Sequence, residues 1–186
     1  MRKSYILRHN LKAAQQGFSL FIVLIVMLVI AFLVVSATQS YNTEQRISTN
    51  DADRKFALSL AEAALQVGEA EILNFKDSQV VFSTDCSNGL CAAAGSEVST
   101  TPRRVVQAGG DTPAWKRKKE CGGSLCIDTN GKIYNVGSSR GRRNARYIVE
   151  YVGTQPDGSP IYRVTSKAWG KNNNTVVMLQ SYISVE

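Results

Sequence analysis

The sequence predicts an α+β chain. A long N-terminal helix, membrane-spanning in its first half, packs on a C-terminal antiparallel β-sheet, and a variable disulfide-containing region lies between them. Three observations carry this prediction. From Phe18 to Val67 there is no glycine and no proline, although glycine is common elsewhere; without either breaker one helix can run through the whole stretch. Its first part, Phe18 to Val35, is apolar apart from Ser19. The last forty residues alternate β-branched and aromatic runs with strong turn segments, the pattern of strands joined as a meander.

The apolar rod extends roughly 27 Å at ~1.5 Å per residue, close to the thickness of a bilayer core. No charge occurs between Lys12 and Glu44. A buried soluble helix is the alternative, but the rod's length and all-round hydrophobicity argue against it. The flank before it carries Arg2, Lys3, Arg8 and Lys12 and no acid, so that flank stays cytoplasmic and the remainder is exported. A cleaved secretory signal would be shorter and end at small residues. "VVSATQS" offers some, with Ala37 as a decoy, but the uninterrupted helix favours an anchor that is kept.

Beyond the rod, Phe56, Leu60, Ala63, Val67 and Ala70 form an apolar stripe at spacings of four and three. The stripe is read as core packing, with Glu62, Glu69 and Glu71 on the opposing side. Gly68 inside this helix predicts a bend or loosening. The polar stretch from Glu44 to Lys55 is a solvated spine or a subunit contact. Residues 75–146 read as loops with short strands, "QVVFS" among them. Then "ARYIVEYV", "IYRVTSKAWG" and "TVVMLQSYISVE" predict three antiparallel strands. In the middle one Tyr162, Val164, Ser166 and Ala168 face the helix stripe, and Arg163, Thr165, Lys167 and Trp169 face away.

Charge is unevenly placed. The net charge of +7 falls to +3 without the four bases of residues 1–17. Residues 44–85 hold eight acids against four bases, and 101–146 eleven bases against three acids. The basic middle is the candidate binding surface: Arg103, Arg104, Trp115, Lys116, Arg117, Lys118, Lys119, Arg140, Arg142 and Arg143. Trp115 among lysines suits stacking and phosphate contact. No fold-level nucleic-acid motif accompanies it, so a solvated face or a surface for an acidic neighbouring helix is the favoured reading.

The cysteines form two pairs, "CSNGLC" and "CGGSLC". In an oxidising compartment disulfides are favoured over a zinc site. Local pairing, Cys86 with Cys91 and Cys121 with Cys126, comes first because both loops contain glycine; the two long-range pairings stay open. The only histidine is His9, ahead of the rod. The rest of the chain therefore cannot build a Ser-His or Cys-His pair or a His-ligated metal. No enzyme, cofactor or metal is expected.

Gly17-Phe18-Ser19-Leu20 behind the short basic leader resembles the type III signal of type IV prepilins. The resemblance implies cleavage after Gly17 by a membrane prepilin peptidase, N-methylation of Phe18 and a mature start "FSLFIVLIV". It also marks a departure: the fifth mature residue is Ile22, where major pilins usually carry a glutamate that neutralises the neighbouring subunit's N-terminal amine. "RKFALSLAEAALQVGE" resembles the N-terminal module of PilX/PilK-type minor pilins, and "YRVTSKAWGKNNNTVVMLQSYIS" their C-terminal strands.

The implied organisation is a leader (1–17), a transmembrane half-helix (18–38), an exported amphipathic half (39–74), the variable region (75–146) and C-terminal strands (147–186). The implied function is pilus assembly and initiation as a minor pilin in a tip complex, with the prepilin peptidase, the major pilin and other minor pilins as partners. The chain would sit in the inner membrane, its C-terminal domain in the periplasm, before entering the pilus. The alternatives are a tip-exposed module for DNA binding or host-surface adhesion, and the tip pseudopilin of a type II secretion system.

Overall fold

The computed structural model of the chain describes residues 16–76, 79–135 and 145–185. The leader up to residue 15 and Arg140, Arg142 and Arg143 lie outside the described residues. The chain divides into two units, Met1–Thr49 and Asn50–Glu186. In the first, helix α1 (Gln16–Leu73) begins, and the side chains of Phe18 to Val35 are all exposed. An unbroken run of exposed large apolar residues is unstable in water and stable in lipid. By length and composition this is the one membrane-crossing helix among the described residues.

The second unit contains the rest of α1 and all the strands. Strands β1 (Val80–Phe82), β2 (Leu90–Ala92), β3 (Ser99–Thr100) and β4 (Arg104–Val106) are short. Helix α2 (Cys126–Thr129) and β5 (Lys132–Tyr134) follow. The long strands are β6 (Ala145–Thr154), β7 (Pro160–Trp169) and β8 (Val176–Ser184). β6, β7 and β8 form the antiparallel meander. On the other side of β6, β2 adds in parallel and β5 antiparallel, so the sheet has five strands instead of the three expected. A separate three-stranded sheet runs in the order β1-β4-β3.

The β7 alternation sorts its residues as expected on the helix side. Tyr162, Val164 and Ala168 join a core with Ala61, Ala64 and Ile72 of α1 and with Tyr147 and Val149 of β6. The other face is covered too. Ile148 packs with Cys86, Cys91, Ala114, Cys121, Cys126 and Ile127, so the disulfide region forms a layer beneath the sheet. Thr165, Lys167 and Trp169 are buried there.

Two details of the helix differ from expectation. The contact line is Ala57, Ala61, Ala64, Gly68 and Ile72, one residue round from the predicted stripe. Phe56, Leu60 and Ala63 are half-buried flanks, and Val67 and Ala70 are exposed. The sheet face already carries Tyr147, Tyr162 and Val164, and from Ala57 to Gly68 the contact line opposite it is made of small residues, with the larger Ile72 only at its end. Gly68 shows this most directly: a Cβ there would lie 2.6 Å from Val164 Cγ1 and 2.9 Å from Tyr147 Cδ2. The helix runs through Gly68 without interruption; this glycine serves close approach, not a bend. Glu71, expected on the solvated side, instead turns to the sheet. Its carboxylate accepts from Tyr147 Oη at 2.8 Å and pairs with Lys132 Nζ.

Candidate functional site

The N-terminal junction is built by sequence order alone. The Gly17–Phe18 bond lies within α1, at the N-terminal edge of the described residues. From Phe18 onward every described side chain of the rod is exposed, Ile22 among them. Nothing on the rod carries charge until Glu44.

Within the second unit, α1 is held to the sheet by polar ties as well as by the alanine line. Asp53 is only 4% exposed. Its carboxylate accepts from the backbone N–H of Lys171 and from that of Asn172 at 3.2 Å, in the turn between β7 and β8. The Thr175 hydroxyl, together with these amides and against the opposing pull of burial, holds its carboxyl below the usual value. On the other face Glu150 is fully buried, paired with Arg163 Nη2 and accepting from Arg163 Nε at 2.9 Å. Lys167 Nζ donates to both Asp128 oxygens at 2.7 Å, tying β7 to α2. Burial raises the Tyr147 phenol well above its ordinary value, and the Glu71 carboxylate adds to the shift.

The disulfide layer contains Cys86–Cys91 and Cys121–Cys126, with Cα separations of 4.2 and 5.2 Å. Gly89 and Cys86 take positive φ in the first loop, as does Gly122 in the second. Both loops close on five-residue separations. They are joined through Asn130, whose Nδ2 donates to the Asp85 carbonyl at 2.6 Å.

The basic residues of the middle region do not act alike. Arg117, expected on a binding surface, is 1% exposed. Its guanidinium donates to the carbonyls of Thr84 at 2.7 Å, Thr112 at 2.9 Å and Ala92 at 3.1 Å. It is an internal strut, its guanidinium tying together main-chain carbonyls from three separate segments, one of them at the end of β2. Arg104 is half-buried, with its guanidinium carbon 4.7 Å from the Tyr151 ring centroid and Nη1 3.3 Å from Tyr162 Oη. Lys116 stands over the half-buried Trp115 at 4.6 Å. Arg103, Lys118 and Lys119 are exposed. Sequence reasoning missed Asp53, Glu150 and Arg163 as structural ion and hydrogen-bond partners. The strand alternation put Arg163 on the face turned from the helix, where Glu150 is its cross-strand partner.

Comparison with protein-family models matches residues 87–185 to the type IV pilus assembly protein PilX C-terminal model, more than half of the chain. The chain belongs to the PilX family. Residues 16–66 also match the PilX N-terminal model, which begins beside the Gly17–Phe18 junction and covers the rod and the polar spine. Neither the curated proteins nor the solved structures gave a match. PilX proteins are structural components of the type IV pilus, and this chain is accordingly an assembly-related minor pilin with the α+β pilin-like fold.

Proposed function

We propose that this PilX-family chain is the terminal member of a minor-pilin complex that starts pilus assembly. Prepilin peptidase cuts between Gly17 and Phe18 and the new amine at Phe18 is methylated. Before assembly the rod holds the protein in the inner membrane with residues beyond it in the periplasm. It then joins other minor pilins, and below them the major pilin, at the pilus tip.

Ile22 carries this reading. In a bundle of apolar helices a buried N-terminal ammonium needs a carboxylate from an adjacent subunit. This chain supplies an ammonium at Phe18 for a partner below, but has no acid anywhere from Phe18 to Thr43 for a partner above. A subunit that can be held from one side only suits the end of a filament. The burial of Arg117 weakens the alternative in which the basic middle serves as a continuous nucleic-acid surface.

Labelling the protein and imaging intact filaments tests the proposal. Signal confined to filament ends, at low copy number in sheared pili, is expected. Regular decoration of the shaft at levels rivalling the major subunit would overturn it, as would a clear gain in pilus number from Ile22→Glu. Deletion should abolish or sharply reduce piliation. Normal pili that fail only in adhesion or DNA uptake would point to the binding module instead, and a defect confined to protein secretion to the type II system.

A further inference from the structure

A groove of about 590 Å³ opens where α1 ends, between the turn at residues 101–104 and the β6–β7 turn. Phe75 and Tyr162 form part of its floor, and among the described residues Lys76, Arg103 and Arg104 bring three cations to its walls against one carboxylate, that of Asp157. That carboxylate is engaged in its own turn, accepting from the Ser159 N–H at 2.9 Å. Among the described residues no ion pair involves Lys76, Arg103 or Arg104. Lys76 alone would be explained by the negative end of the helix dipole. Arg103 and Arg104 come from a different segment, so the dipole does not account for the cluster.

We propose that this groove is a docking site for an acidic extended segment of a companion pilus subunit, an inference that rests on the tip-complex reading above. Charge complementarity selects the class of ligand, because three cations without a carboxylate partner among the described residues attract anions and raise encounter rates. The aromatic residues decide between a peptide and a nucleic acid. Bases need open ring faces, but Tyr162 is buried, the face of Tyr151 is taken by Arg104, and Phe75 is half-buried against Phe82 and Tyr162. Apolar walls with cationic rims instead suit a peptide that alternates acidic and apolar side chains. Arg104, already oriented by Tyr162 and Tyr151, supplies a guanidinium fork for a carboxylate.

The test uses the full chain in piliated cells, with Pro102, an exposed groove residue, replaced by p-benzoyl-phenylalanine for photocrosslinking. Ultraviolet light should join it to a segment of another pilus subunit that carries at least two Asp or Glu residues. Lys76→Glu combined with Arg103→Glu, both at exposed positions, should lower the crosslink yield about tenfold or more, whereas Lys76→Arg should preserve it. Co-purification of the chain with sheared pili is scored in the same cells. If the chain co-purifies but Pro102 crosslinks to nothing, to a segment without acids, to nucleic acid, or equally well after charge reversal, the groove assignment fails and the pilus reading stands. If the chain does not co-purify with pilus subunits, both fail.

Discussion

Gly68 sits where the helix backbone comes closest to the sheet, and its missing side chain sets the distance. Gly68→Ala gains about 1 kcal/mol in helix propensity, yet its Cβ would enter the space of Val164 and Tyr147. Both neighbours are buried, so overpacking is expected to win, with a net loss of roughly 1–3 kcal/mol. Gly153→Ala, with nothing within 4 Å, should be close to neutral in the same thermal melts of detergent-solubilised protein. Glu150 gives the reciprocal case. Arg163→Met leaves a fully buried carboxylate without its cation and should cost about 3–5 kcal/mol. Glu150→Leu together with Arg163→Met should recover most of that loss; a double variant as unstable as the single would show that the pair is not the source.

At the scale of elements, two ties join segments far apart in sequence. Asp53 links α1 to the β7–β8 turn. Its folded carboxyl lies below the ordinary value, so the tie contributes stability above the unfolded value of about 3.9. That contribution is lost as pH falls from there through the lower folded value. Asp53→Asn should therefore lower the melting temperature at pH 7 and flatten its dependence on pH below about 4. Parallel acid titrations of variant and parent would argue against the tie. The disulfides close short loops beneath the sheet, and opening one is expected to cost about 2 kcal/mol by loss of loop closure. Peptide mapping without reduction should recover Cys86 joined to Cys91 and Cys121 to Cys126. On reduction, hydrogen exchange should rise first at 86–91 and 121–129 while β6, β7 and β8 stay protected, because the alanine line of α1 covers their other face.

For the whole molecule, the apolar run of α1 is long and apolar enough to cross a membrane, and the proposed cut after Gly17 would set the mature N-terminus. Intact-mass analysis of membrane-extracted protein is expected to find a chain beginning at Phe18 with a methylated amine. A start near Thr38, or retention of Met1, would contradict the proposed processing. The basic middle region contributes to the molecule in two ways. Arg117 turns inward to bond main-chain carbonyls, while Arg103 remains exposed at the groove.

Much of this architecture was legible because its causes are local. The length of the rod, the absence of helix breakers before Gly68 and the period-two alternation of β7 each act through neighbouring residues, and each foretold its element. The family followed from contiguous stretches for the same reason. What the tertiary structure decided were matters of distance between remote segments. Hydrophobicity alone favours Phe56, Leu60 and Val67 as the contact stripe, but bulky tyrosines on the sheet reserve that line for Ala57, Ala61, Ala64 and Gly68. A run of five charged residues, Lys116 to Glu120, reads as uniformly solvated, yet Arg117 lies inside, bonded to the carbonyls of Thr84, Ala92 and Thr112. The covering of the second sheet face by the disulfide layer was likewise hidden, since it depends on loops folding back over a distance that no local pattern encodes. Local periodicity dictates what each segment becomes; only the packing of one segment on another determines which of its side chains are free to act.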